Sequence, residues 1–298
     1  TFPLPLPPRH LFPVRKYGLL RRALLDAGIV QAGDMAIAPE VTDAQILLAH
    51  DAGYLQRVQE GRLTEKELRR IGMPWSAEYV TRVRRATGGT IAACRAALQD
   101  GVAVNLAGGY HHAFHDYGQG FCLLNDIVIA ARVMQAEGLA RQVAVLDCDV
   151  HQGNGTAALA ADDPTIYTFS IHSESNFPLH KPPSNLDIAL EDGADAAAFL
   201  AALDGGLCQS LEEAQADLAL YLAGADPYED DLLGHLALSK EGLAQRDRLV
   251  LEHCRRRQLP VAVLLAGGYG RLVEDTVEIH RTTVHIAAKF AATWPAGD

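Results

Sequence analysis

Asp149-Val150-His151 is the triplet of this chain best equipped to bind an ion. Two residues apart on a strand, a carboxylate and an imidazole face the same side and can meet one ion. Asp226, at the end of a later apolar run, is the natural third ligand. Two oxygens and one nitrogen, with a position left for water, suit a catalytic Zn2+ or another divalent metal. Taken alone, an Asp-x-His at a strand end can equally satisfy loop amides, because short motifs recur by chance. The adjacent His111-His112 pair adds proton chemistry, one imidazole taking a proton from an activated water while its neighbour stabilises charge. Adjacent histidines are also ordinary loop residues. Tyr269, after two glycines, could donate a hydrogen bond to a developing oxyanion, or be an ordinary half-buried tyrosine.

These residues sit where short apolar runs end. The runs are Val102–Ala107, Val143–Leu146, Thr165–Ile171, Asp217–Ala223 and Pro260–Ala266. Near-continuous apolar character fits strands buried on both faces of a parallel sheet. Between and after them lie helix-forming stretches, Cys122–Glu137, Ala194–Ala216, Ser239–Arg257 and Val273–Lys289. The alternation predicts an α/β fold, with a single doubly wound, mostly parallel sheet flanked by helices. In such sheets the ligand crevice lies outside the carboxyl ends of the strands. Glycines at those ends, as in Gly108-Gly109 and Gly267-Gly268, allow tight turns and close approach. The first hundred residues read as more helical. Thr64 and Glu67 have capping-box spacing, and Ser76 is placed to cap a helix that runs to a break at Gly88-Gly89. No repeat, low-complexity tract or linker divides the chain, so residues 1–298 read as one domain.

Composition narrows the classes of function. The chain has 298 residues, 49% hydrophobic and 21% charged, which excludes a disordered segment. Its net charge of −11, without a basic cluster, makes direct nucleic-acid binding a poor fit. Apolar stretches such as Val261 to Ala266 are far shorter than the roughly 20 residues of a membrane span. Thr1-Phe2-Pro3-Leu4-Pro5 does not read as a signal peptide, and the missing Met suggests a processed or trimmed chain. Cys94, Cys122, Cys148, Cys208 and Cys254 form no C-x-x-C pair and read as buried free thiols in a reducing compartment, hence a cytoplasmic protein. By strand alternation Cys148 should face away from the metal. His115, His180, His235, His253, His280 and His285 are assigned to surfaces or core, and Arg255-Arg256-Arg257 to a favourable helix end.

In order and local wording, the loaded stretches resemble the histone deacetylase family of zinc amidohydrolases. They are GGYHHAFHDYGQGFCLLNDI (108–127), VLDCDVHQGNG (145–155), Phe169-Ser170-Ile171-His172, GADPYEDDLLG (224–234) and AGGYG (266–270). His10 to Tyr17 matches more loosely, and HQGNG with FPLHKPPSNLD (177–187) gives a class IV or bacterial flavour. The resemblance implies one Zn2+ per chain on Asp149, His151 and Asp226. It implies His112 as general base and acid, His111 as electrostatic support oriented by Asp147, and Tyr269 polarising the amide carbonyl. Asn154 falls where better-known members carry the Asp that orients the second histidine. Gly120, Phe121 and Phe177 match the walls of a narrow acyl-lysine tunnel, with Gly268 also assigned to substrate binding. Asp147, Ser170 and Ile171, with backbone of Asp149 and His151, match a monovalent-cation site that would take K+. The implied substrate is an acylated lysine in a protein or peptide, or a small acyl-amine such as an acetylpolyamine. Oligomeric state is not implied.

Two rival readings remain. An arginase-type ureohydrolase shares the architecture by resemblance but needs a second metal. Asp226-Pro227-Tyr228 lacks a second Asp two residues on, and Asn154 is neutral. A catalytically dead acyl-ligand binder would have lost a ligand or the tyrosine, and none is missing.

Overall fold

The computed structural model describes residues 4, 6, 7 and 10–295, so the reading of the first five residues lies almost entirely outside it. Six strands form one open sheet: β1 (Val102–Asn105), β2 (Val143–Asp147), β3 (Ile166–Ser173), β4 (Leu186–Leu190), β5 (Leu218–Leu222) and β6 (Val261–Leu264). Every pairing is parallel, in the order β1-β6-β5-β2-β3-β4. The helices are α1 (Arg15–Asp26), α2 (Asp43–Ile46), α3 (Ala52–Gln59), α4 (Glu65–Ile71), α5 (Ala77–Asp100), α6 (Asp126–Ala136), α7 (Asn154–Ala160), α8 (Ala196–Ala214), α9 (Lys240–Arg256) and α10 (Val273–Ala292).

Burial on both sheet faces explains why the sequence is so apolar between the loops. Val143, Val145, Leu218 and Leu220 pack into one cluster with α3, α5 and α6. Ala144, Leu146, Ala219 and Tyr221, the alternate residues of the same strands, pack into a second with α8 and α9. From β2 the chain winds outward through β3 to β4, then returns on the other side through β5 and β6. The winding therefore reverses between β2 and β5, where a crevice opens at the strand ends. Asp149, His151 and Asp226 follow those two strands.

Three expectations need correction. Gly88-Gly89 does not break a helix, because α5 runs through both from Ala77 to Asp100. The glycines serve packing instead: a Cβ on Gly88 would lie 2.0 Å from the Pro39 carbonyl oxygen, which crosses the helix there. Strand β4 escaped the apolar-run criterion because it is an edge strand with alternately exposed residues. Cys208 is exposed on α8, while the other four cysteines are buried and free; Cys148 packs in the α8–α9 cluster, away from the crevice. The caps at Thr64 and Ser76 form as the sequence implied. Among the described residues, no helix is long and apolar enough to cross a membrane.

Candidate active site

Strand β2 ends at Asp147, so Asp149 and His151 lie on the loop beyond it and not on the strand. Side-chain alternation therefore does not bring them together; a turn does. The His151 N–H donates to Asp149 Oδ1 at 3.0 Å, folding the imidazole back so that its Nδ1 is also 3.0 Å from that oxygen. Asp226 arrives from β5 and is tied to the same loop by the Val150 N–H, which donates to its Oδ1 at 3.0 Å. The other Asp149 oxygen accepts the Gly267 N–H from the loop after β6. The three candidate donor atoms lie within 4.8 Å of one another, and all three residues are buried.

This cluster fits a divalent cation. Asp226 Oδ2 is buried without a hydrogen-bond partner, with His151 Nδ1 3.6 Å away. An orphaned carboxylate oxygen in that position is costly unless a cation or a proton meets it. The cradle leaves no room for bulk, since a Cβ on Gly267 would lie 1.9 Å from Asp226 Oδ2 and 2.6 Å from Asp149 Oδ2. Burial alone would lower the His151 pKa, but Asp149 and Asp226 outweigh it and hold the imidazole at about 10. Burial and the Asp149 charge push the Asp226 carboxyl up.

The histidine pair sits on the loop after β1. Asp126, the first residue of α6, grips that loop by accepting the Gly109 and Tyr110 N–H groups at 3.0 and 2.7 Å. The rings of His111 and His112 are 4.0 Å apart between centroids but have different partners. His111 Nδ1 lies 2.7 Å from Asp147 Oδ2. His112 Nδ1 lies 2.8 Å from Asn154 Oδ1, which also accepts the Gly155 N–H. An amide oxygen only accepts, so His112 carries its proton on Nδ1 and keeps Nε2 free to take another. Their environments drive them in opposite directions. Burial would lower both, but Asp147 and Asp149 raise His111 to about 9, whereas burial and repulsion from His111 and His151 hold His112 well below its ordinary value.

Tyr269 follows the Gly267-Gly268 turn. Its N–H donates to Asp231 Oδ2 at 2.6 Å, and its neighbour Ala266 receives the buried Lys16 ammonium at 3.2 Å. Burial, then the Asp226 and Asp149 charges, raise the phenol pKa well above its ordinary value. The hydroxyl therefore stays a neutral donor. A cavity of about 310 Å³ leads to these groups, walled by Phe12, Phe121, Phe177, Gly120, Leu233 and Tyr269. Phe177 meets the His112 ring edge-on at 4.9 Å and Phe121 lies 5.7 Å from the Tyr269 ring. Gly120 is required there, since a Cβ would lie 2.7 Å from the His112 ring and its φ is +53°. Gly268 is buried in the turn below Tyr269 and does not line the cavity.

The structure thus gathers the predicted metal ligands, histidine pair, Asn154, tyrosine and aromatic walls at one crevice. Asp147 and Ser170 pair in register across β2 and β3. Their side-chain oxygens already meet His111, the Asp149 N–H and His172. The monovalent-cation reading therefore gains no orphaned side-chain oxygen there. Sequence reasoning missed Asp126 and Asp231, the carboxylates that hold the loops bearing His111-His112 and Tyr269. Asn125-Asp126 before an apolar helical run was a legible cap signal; Asp231 had none. His280, assigned to surface or core, is buried against the Gly267-Gly268 turn. A second cluster, Asp204, Cys208 and His253, joins α8 to α9 away from the crevice, where a 2.7 Å contact between His253 Nε2 and Asp204 accounts for it.

Fold and site define a hydrolase of amide bonds on an open α/β sheet. The histone deacetylase domain matches residues 10–284, so the chain belongs to the histone deacetylase family. An uncharacterized protein of Picosynechococcus sp. is 44% identical over 286 residues, 96% of this chain and 95% of that one. Among solved structures, an HDAC homolog from Aquifex aeolicus superposes with TM-score 0.83 at 22% identity, covering 95% of this chain and 80% of that one. Acetylpolyamine aminohydrolase from Burkholderia pseudomallei does so with TM-score 0.74 at 22% identity, covering 90% and 88%.

Proposed function

We propose that this protein is a zinc-dependent deacylase that removes an acyl group from a lysine side chain. The observation that carries the reading is the orphaned Asp226 oxygen, buried in an Asp-His-Asp cluster at the foot of an aromatic-walled cavity. Asp149, His151 and Asp226 would hold the ion. When bound, Zn2+ polarises a carbonyl oxygen and lowers the pKa of a water to about 7. His112 Nε2 takes the proton from the attacking water and returns it to the departing amine. His111, held protonated by Asp147, stabilises negative charge beside it. The Tyr269 hydroxyl donates to the oxyanion that develops on the acyl carbonyl. Phe121 and Phe177 enclose the lysine stem and exclude water.

A protein or peptide substrate is favoured over a polyamine. Asp149 and Asp226 are the only acidic residues lining the cavity among the described residues, and Arg70 also lines it. A neutral acyl-lysine stem suits such a wall better than a polycation. The test is a deacylation panel of lysine peptides carrying acetyl to myristoyl groups, with acetylated polyamines alongside. Turnover of the peptides is expected; turnover of acetylpolyamines alone would overturn the preference.

Metal content gives a second check. In a Cys208→Ser background, which disarms the α8–α9 cluster, about one equivalent of zinc per chain is expected by elemental analysis, and none in Asp226→Ala. A metal-ligating imidazole must be unprotonated, so apparent zinc affinity should fall as pH is lowered. Activity requiring two equivalents of manganese would instead favour a ureohydrolase.

Asn154 sets a pH signature. A general base works only when unprotonated, so activity is lost as pH falls through its pKa. An Asp at 154 would stabilise imidazolium at His112 and raise that pKa. Asn154→Asp is therefore expected to move the acidic limb of kcat/KM to higher pH with zinc still bound. The limb belongs to the coupled site; one that stays put or moves down would separate Asn154 from the base.

A further inference from the structure

Arg246, on α9, is the bulkiest side chain in the described core and is wholly buried. Its Nη1 donates to two backbone carbonyls, Gly224 at 2.5 Å and Cys148 at 3.3 Å. Nε and Nη2 both donate to Asp247 Oδ1, at 3.0 and 2.8 Å. Asp247 is fixed in turn by the Tyr221 hydroxyl from β5 at 2.5 Å and the Thr283 hydroxyl from α10 at 2.6 Å.

The two carbonyls are not arbitrary. Cys148 immediately precedes Asp149, and Gly224 lies two residues before Asp226. The loops leave neighbouring strands, and their last shared backbone hydrogen bond runs from the Cys148 N–H to the Leu222 carbonyl. Beyond it, the front of the cluster is laced by the Val150 N–H on Asp226 and the Gly267 N–H on Asp149. Each of those links uses an oxygen of a candidate ligand. Among the described hydrogen bonds past that point, Arg246 alone bridges the two loops without borrowing one. A buried ion pair adds little stability relative to apolar residues of the same volume, so fold stability is a weak reason for a guanidinium here.

We propose that Arg246 is a positioning residue for the metal centre. It clamps the Cys148 and Gly224 carbonyls and so sets how far apart Asp149 and Asp226 stand, while Asp247, Tyr221 and Thr283 fix the guanidinium plane. The inference rests on the metal site proposed above. Lysine cannot replace it, because an ammonium lacks the planar fork that serves two carbonyls and a carboxylate at once.

The test is zinc affinity of the full chain by chelator competition, with folding followed by circular dichroism. Loss of a group that orients metal ligands typically weakens affinity about 10–100-fold, and Arg246→Lys is expected to fall in that range. Leu243→Ala, a buried cut in the same helix, should leave affinity within about threefold despite lost stability. If Arg246→Lys does not fold, Tyr221→Phe, which frees one side of Asp247, decides, with a severalfold weakening expected. Affinity unchanged in the deciding variant, or an equal loss in Leu243→Ala, overturns the proposal. Asp226→Asn separates the two failures. If it leaves wild-type zinc uptake intact, the metal site itself is wrong; if it abolishes uptake while the deciding variant binds normally, only the role of Arg246 is.

Discussion

Tyr269→Phe is expected to lower kcat by about 10²–10³-fold, the usual cost of one oxyanion donor, with zinc content unchanged. The substitution removes one hydroxyl and keeps the ring, so its contacts with Phe121 and the cavity wall persist. The backbone is also spared, because Tyr269 is anchored through its N–H on Asp231 and not through the phenol. Lys16 is bound to the Ala266 carbonyl independently of the hydroxyl. The mutant should therefore bind substrate and metal and fail at the chemical step. Burial and the neighbouring carboxylates keep the phenol protonated far above neutral pH, so the wild-type donor is present throughout the working range. A mutant with near-normal kcat would reduce Tyr269 to a wall of the cavity. One that also loses zinc would make it part of the metal cradle.

The sequence was legible where chemistry and secondary structure coincide. The inner strands read out because both faces of the sheet are covered, which buries Val143–Asp147 and Leu218–Leu222 at every position and leaves Asp147 their single charged residue. The edge strand Leu186–Leu190 was lost because its outward residues are polar or exposed. The Asp-x-His reading named two residues that do come together, but by the wrong geometry: a turn, not strand alternation, joins Asp149 to His151. Gly88-Gly89 misled because glycine marks both chain breaks and close packing, and only the Pro39 carbonyl lying across α5 tells which. Least legible were supporting groups such as Asp231 and Arg246. The contacts that tie them to the site are backbone atoms of Tyr269, 38 positions from Asp231, and of Gly224 and Cys148, 22 and 98 positions from Arg246, which leave no spacing signal in the chain.

Removing the base should cost about as much as removing the oxyanion donor. General acid–base catalysis contributes about 10²–10⁴-fold, and His112→Ala is expected to lower kcat within that range while zinc stays bound. The choice of His112 over His111 follows from their surroundings. A base must be unprotonated at working pH, and His111, raised to about 9 by Asp147 and Asp149, is charged at neutrality. His112 faces a neutral amide and is buried beside His111, which disfavours its protonated form and leaves it free to accept a proton. Paired groups driven apart in this way mark a division into acid and base roles. His112→Ala should therefore flatten the acidic limb of the pH–rate profile, whereas His111→Ala should lower the rate and keep a limb. The measurement is kcat/KM against pH for both variants at confirmed zinc occupancy. A limb that survives in His112→Ala and vanishes in His111→Ala would exchange the two assignments.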